Sequence, residues 1–93
     1  MPFVAVTNST TRGQDPALTK KLIRDVVVPR LQRLPGFQSA RYGLSLDESS
    51  AIGTSVFDTE ANAKKGLDAM MTGRPPEAPI ITNTAIYEVI VEA

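Results

Sequence analysis

The apolar residues of this chain recur with two different periods, and the changes of period mark its elements. Phe3 to Thr7 is a short β-branched and aromatic run, which predicts a first strand. Asn8-Ser9-Thr10-Thr11-Arg12-Gly13 then reads as a loop. Asp15 followed by Pro16 is a helix start, because the carboxylate can accept orphan amides and proline is pre-set for the first helical position. From Pro16 to Leu34 the apolar residues Leu18, Leu22 and Val26 recur every fourth position, and Ile23, Val27, Leu31 and Leu34 widen the stripe. Pro29 lacks the amide that would reach the Asp25 carbonyl, which predicts a kink or break within this helix.

Leu34-Pro35-Gly36-Phe37 ends that helix, and alternation begins at once. Gln38, Ala40, Tyr42, Leu44 and Leu46 share one face of a strand, and Phe37, Ser39, Arg41, Gly43 and Ser45 the other. Asp47-Glu48-Ser49-Ser50 is turn composition ahead of a second run, Ala51 to Phe57, so the two strands form a hairpin. Asp58 or Thr59 caps a helix over Glu60 to Thr72, with Gly73 at its stop. Arg74-Pro75-Pro76-Glu77-Ala78-Pro79 is a connecting loop, and Thr84 to Glu92 is the last strand.

This order, βαββαβ with right-handed crossovers, gives an α+β ferredoxin-like fold: a four-stranded antiparallel sheet with both helices on one face. Residues 1–93 read as one such domain. On the last strand Ala85, Tyr87, Val89 and Val91 oppose Ile86 and Ile90, so both faces carry apolar side chains. A sheet with one wet face does not need this. A chain of 93 residues also has a limited core of its own, so a homodimer joined through the sheets is expected.

Composition narrows the chemistry. Cysteine and histidine are both absent, which removes disulfides, thiolate and imidazole metal sites, and Ser-His or Cys-His catalysis. No metal and no cofactor are expected. The start Met1-Pro2-Phe3-Val4-Ala5-Val6 shows no basic leader and no apolar run of membrane length, so a cytosolic protein without a membrane span is expected. The formal charge of zero hides two halves. From Arg12 to Arg41 there are seven Lys or Arg against two Asp, and the remainder has three against eight. The basic residues read as the solvent face of the first helix rather than a nucleic-acid patch.

With the elements placed, the chain resembles the dimeric α+β barrel superfamily, and within it the antibiotic-biosynthesis-monooxygenase-like domains. The long first helix ending in Leu34-Pro35-Gly36-Phe37, the hairpin ending in Ser55-Val56-Phe57-Asp58, and the helix Thr59-Glu60-Ala61-Asn62-Ala63 carry the resemblance. It implies a two-subunit barrel that binds a small organic, often aromatic, molecule between each sheet and its helices. Some members oxidise phenolic substrates with O2 and no cofactor. Haem-degrading members use a Trp and an axial His, and this chain contains neither.

The resemblance puts Asn8 where members often place a pocket Asn at the end of the first strand. An amide there can orient a phenolate or O2, although Asn-Ser-Thr-Thr is also ordinary turn composition. Arg41, flanked on its face by Ser39, Gly43 and Ser45, can clamp an anion or simply pair with a carboxylate. Asn8 and Arg41 are the candidate catalytic residues, and Tyr42, Phe57 and Tyr87 are candidates to line the substrate site or to fill the core. Two alternatives share the element order. One is a non-catalytic metabolite-binding or structural dimerisation module, which the lack of His, Cys and Trp favours. The other is an RNA-recognition motif, but Ile52 and Thr54 stand where its stacking aromatics would fall, so no nucleic acid is expected.

Overall fold

The computed structural model describes residues 1–93. Its elements follow the expected order: β1 (Phe3–Thr10), α1 (Pro16–Leu22), a π-helical turn (Ile23–Val27), α2 (Val28–Gln32), β2 (Phe37–Leu44), β3 (Ser50–Phe57), α3 (Glu60–Met71) and β4 (Ile80–Glu88). The four strands form one sheet in the order β2-β3-β1-β4, and every neighbouring pair is antiparallel. This is the ferredoxin-like arrangement, with the helices packed on one face.

Local chemistry explains most boundaries. Asp15 Oδ1 accepts from the Ala17 amide at 3.0 Å with Pro16 behind it, and Thr59 Oγ1 accepts from the Asn62 amide at 3.1 Å. The first helical stretch runs on through Pro29, but it widens first. The Val28 amide reaches back to the Ile23 carbonyl, a one-residue-longer step that lets the chain enter Pro29 without an α-type bond to Asp25. At the Pro35-Gly36 turn Gly36 has φ 76°, and a Cβ there would lie 2.7 Å from Asp58 Cγ, so the turn is packed directly on the start of α3.

Two strands depart from the sequence reading. β1 continues through Asn8, Ser9 and Thr10 because β3 and β4 pair with it on both sides, and that pairing outweighs the turn-like composition. β4 begins at Ile80 and ends at Glu88, whereas the pattern points to Thr84 through Glu92. Beyond Glu88 the partner strand has run out. The Val89 amide still reaches the Pro2 carbonyl at 2.9 Å, and Ile90 and Val91 are exposed. Thr82 is the extra residue of a bulge opposite Asn8 and Ser9, and its Oγ1 donates to the Asn8 carbonyl at 3.2 Å.

Register assigns each side chain to a face. Ala5, Thr7, Ala40, Tyr42, Ser55 and Phe57 face the helices; Val4, Val6, Asn8, Arg41, Thr54 and Tyr87 occupy the opposite, uncovered face. The core beneath the helices is small: Ala5, Leu31, Phe57, Ala63 and Met70 form one buried cluster. Tyr87 is 57% exposed and Ile52 is 48% exposed on the uncovered face, which is therefore apolar as well. No helix is long and apolar enough to cross a membrane.

Candidate active site

Two cavities lie between sheet and helices, and Tyr42 stands between them. The inner one, about 60 Å³, is enclosed by Leu31, Val27 and Met70 from the helices, Thr7 from the sheet, and Arg74 and Pro79 from the loop after α3. The outer one, about 380 Å³, lies between α1, the π-helical turn and the edge of the sheet. Tyr42, Ile23 and Ala51 line both.

Backbone chemistry sets the position of Tyr42. It pairs with Gly53 across the β2–β3 ladder, and the ring lies over that residue, which has no Cβ to obstruct it. Its hydroxyl donates to Met70 Sδ at 3.0 Å, a weak acceptor. Burial pushes the Tyr42 hydroxyl up to about 12, and the nearby Arg74 guanidinium pulls the other way.

Arg74 is the first residue after Gly73, whose φ of 64° turns the chain out of α3. Its Nη1 donates to the Met70 carbonyl at 2.9 Å, and its Nη2 donates to the Pro79 carbonyl. One guanidinium thus ties both ends of the proline-rich loop together and presents its charge to the inner cavity. Partial burial lowers its pKa, with Tyr42 opposing. Arg30, on the same lining, donates both Nη atoms to the Thr72 carbonyl at 3.3 Å. The charged residues of the inner cavity are these two arginines, and no carboxylate lines it.

Of the five candidate site residues named from the sequence, Tyr42 alone lines these cavities. Asn8 and Arg41 lie on the uncovered face, two strands apart with β3 between them, so within one chain they do not act on a molecule held beneath the helices. Tyr87 shares that face. Phe57 is fully buried in the core, edge-on to Phe37 with ring centroids 5.9 Å apart, and fills space instead of lining a site. Sequence reasoning missed Arg74, although a single cation wedged between a helix-stopping Gly and Pro75 was a usable signal.

No protein-family profile matches the chain, and a search of curated proteins finds no match. Solved structures do resemble it. SnoaB, a cofactor-independent oxygenase from Streptomyces nogalater, superposes with a TM-score of 0.73 at 15% identity, covering 98% of this chain and 95% of its own. A protein from Chloroflexus aurantiacus J-10-fl, provisionally described as an antibiotic biosynthesis monooxygenase, gives 0.71 at 17% identity over 100% and 97%. The ActVA-Orf6 monooxygenase of Streptomyces coelicolor, solved with nanaomycin D, gives 0.60 at 18% identity over 98% and 92%. The chain has the fold of the antibiotic-biosynthesis-monooxygenase-type α+β barrel proteins.

Proposed function

We propose that this protein binds a small phenolic aromatic molecule between sheet and helices, as a homodimer joined through its uncovered sheet face in the cytosol, and oxidises it with O2 without a cofactor. One observation carries the reading. An apolar cavity contains a half-buried arginine with spare N–H donors and no carboxylate to neutralise it. That environment favours a bound anion. At the Tyr42 hydroxyl burial outweighs the field of Arg74, which still favours the charged form, and the same field favours the anion of a more acidic phenol.

The chemistry this supports needs no protein base of ordinary kind. Arg74 stabilises the anion of an anthrone-like substrate, the ring carbanion passes electrons to O2, and the methylene becomes a carbonyl with release of one water. Tyr42, held neutral by burial, would exchange its weak Met70 Sδ acceptor for that anion. The inner cavity is small, about 60 Å³. A ring therefore enters only as the Arg74–Pro79 loop or the Tyr42 ring yields.

Three measurements test the reading. Titration with 2-naphthol is expected to show the bound phenol ionising at lower pH in wild type than in Arg74→Met, and Arg74→Met should weaken binding at least tenfold. Oxygen uptake with anthrone, giving anthraquinone and water, reports turnover. Binding without uptake would select the non-catalytic metabolite-binding module, and no binding would reject both. Native mass spectrometry checks the dimer, which a monomeric mass would exclude.

A further inference from the structure

The strand that borders the outer cavity has an unpaired edge. β2 lies at one margin of the sheet and pairs only with β3, so one row of its N–H and C=O groups points outwards. No backbone bond from a loop, turn or cap reaches residues 38–44. Natural edge strands are commonly blunted by Pro, Lys or a bulge. Here the bulge sits at Gln38, and Ser39 to Leu44 continue in regular register with neither Pro nor Lys among them. Such an edge is a template for one more strand.

The chain also carries an unsatisfied strand segment. After the Val89 amide reaches the Pro2 carbonyl, Ile90, Val91 and Glu92 make no backbone bond. Ile90 is 83% and Val91 74% exposed, two β-branched apolar residues left in water. Alternation puts Ile90 and Glu92 on one side of an extended chain and Val89 and Val91 on the other.

This segment and the β2 edge are complementary. Beside the edge the outer cavity has an apolar wall from Ile23, Val28, Leu44 and Ala51, with the exposed Lys20 and Arg24 next to it and no carboxylate. Lys20 makes no ion pair. A strand that lays Ile90 on the wall carries Glu92 about 7 Å further along the same side, within reach of those cations. A chain's own segment cannot do this. β2 and β4 are opposite margins of the sheet, about 14 Å apart at ~4.8 Å per strand spacing, and crossing that gap would use up residues 89–92.

We propose that Val89–Glu92 of a second copy adds to the free edge of β2, with Ile90 on the apolar wall of the outer cavity and Glu92 beside Lys20 and Arg24. The inference rests on the homodimer proposed above and adds an exchanged strand to the contact between sheet faces. Two reciprocal exchanges occupy both β2 edges and close the assembly at two copies. The outer cavity is then a seat for the partner chain, and the small-molecule site is confined to the inner one.

The chain has no cysteine, so introduced thiols are its only ones. Ile90→Cys is combined with Ala40→Cys or with Leu44→Cys, which flank Tyr42 on the cavity side of β2. A disulfide needs Cα atoms within about 7 Å, so opposite margins of one sheet cannot be joined and any crosslink links two copies. Mild oxidation of at least one of these pairs should give covalent dimer as the main product, without a ladder of larger species. Ile90→Cys with Lys64→Cys, on α3, which packs over β1, β3 and β4, should give none. In sedimentation equilibrium Glu92→Lys should weaken the dimer about tenfold, because each exposed pair is broken twice per dimer, and adding Lys20→Glu should recover part of that loss. Crosslinking without this recovery overturns the Glu92 contact. A dimer that forms without the crosslink rejects the exchange and leaves the contact between sheet faces standing, and a monomeric wild type rejects both.

Discussion

The ring of Tyr42 lies across the bare backbone of Gly53: a Cβ at Gly53 would stand 2.8 Å from Tyr42 Cδ2 and 2.9 Å from Thr7 Oγ1. The ring that separates the two cavities therefore keeps its place only while residue 53 lacks a side chain. Gly53→Ala should displace Tyr42, break its bond to Met70 and cost roughly 1–3 kcal/mol, the usual range for an overpacked site. Chemical denaturation reads the loss, and the intrinsic tyrosine emission should change with it. An unaltered midpoint would mean that Tyr42 moves aside freely.

Gly66 and Phe57 set a second contest, in which two effects have opposite signs. In an exposed helix Gly→Ala stabilises by about 1 kcal/mol. Here the Gly66 position faces the buried Phe57 ring, and a new Cβ would come within 2.5 Å of Phe57 Cε2. The steric term wins, so Gly66→Ala should destabilise by about 1–3 kcal/mol. Phe57→Leu in the same background should recover part of the loss by vacating the ring volume. A double-mutant cycle measures the coupling.

The Tyr42 hydroxyl makes stability fall at high pH. Its folded pKa, about 12, lies above the ordinary 10.0, so between those values the unfolded chain has released a proton that the folded chain retains. Fewer protons on the unfolded state means that unfolding becomes easier as pH rises. The contribution is complete below pH 10.0 and is lost as pH rises through about 12. That difference corresponds to at most about 2–3 kcal/mol. Tyr42→Phe should flatten that slope, and urea midpoints at a series of alkaline pH values will show it.

Why the fold was legible and the site was not follows from where each kind of information resides. The Asp15-Pro16 start, the Pro35-Gly36 turn, the Thr59 cap and the Gly73 stop are local chemistry, and each stands at its expected place. The ends of β1 and β4 depend on partners: Asn8 to Thr10 are strand because β3 and β4 flank them. The face a residue occupies is decided in the same way. Alternation alone placed Tyr42 and Arg41 on opposite sides of β2, but only the packing of α1 through α3 decided which side carries the cavities. Arg74 lies in a loop without periodicity, so its approach to Tyr42 has no signature beyond its flanking Gly73 and Pro75.

Asp47 organises the β2–β3 turn, and acid should loosen it. One oxygen, Oδ1, accepts from Ser45 Oγ at 2.8 Å, Ser49 N at 3.0 Å and Ser49 Oγ at 2.7 Å. These bonds, the one from the Ser49 side chain foremost, hold its carboxyl at about 2, below the ordinary 3.8. The stabilisation is present above pH 3.8 and is lost as pH falls through about 2. Amide exchange of Ser49 and Ser50 should therefore accelerate in that window ahead of the core amides, and Asp47→Ala should show the faster rate already at neutral pH. Equal protection in the variant would assign the turn's order to its backbone bonds alone.

Arg74 combines two roles that different substitutions can separate. Its two bonds to the Met70 and Pro79 carbonyls close the proline-rich loop, and its charge lowers the pKa of Tyr42. Arg74→Met removes both, so the loop should become cleavable by proteases at Glu77 and the Tyr42 titration, followed by phenolate absorbance, should move to still higher pH. Loss of the carbonyl bonds should cost roughly 1–3 kcal/mol. Arg74→Lys keeps the charge but cannot reach both carbonyls with a planar fork. It should therefore leave the Tyr42 titration close to wild type while the loop still loosens. If the lysine variant behaves like the methionine one in both measurements, loop closure itself brings the charge to Tyr42, and the two roles are a single one.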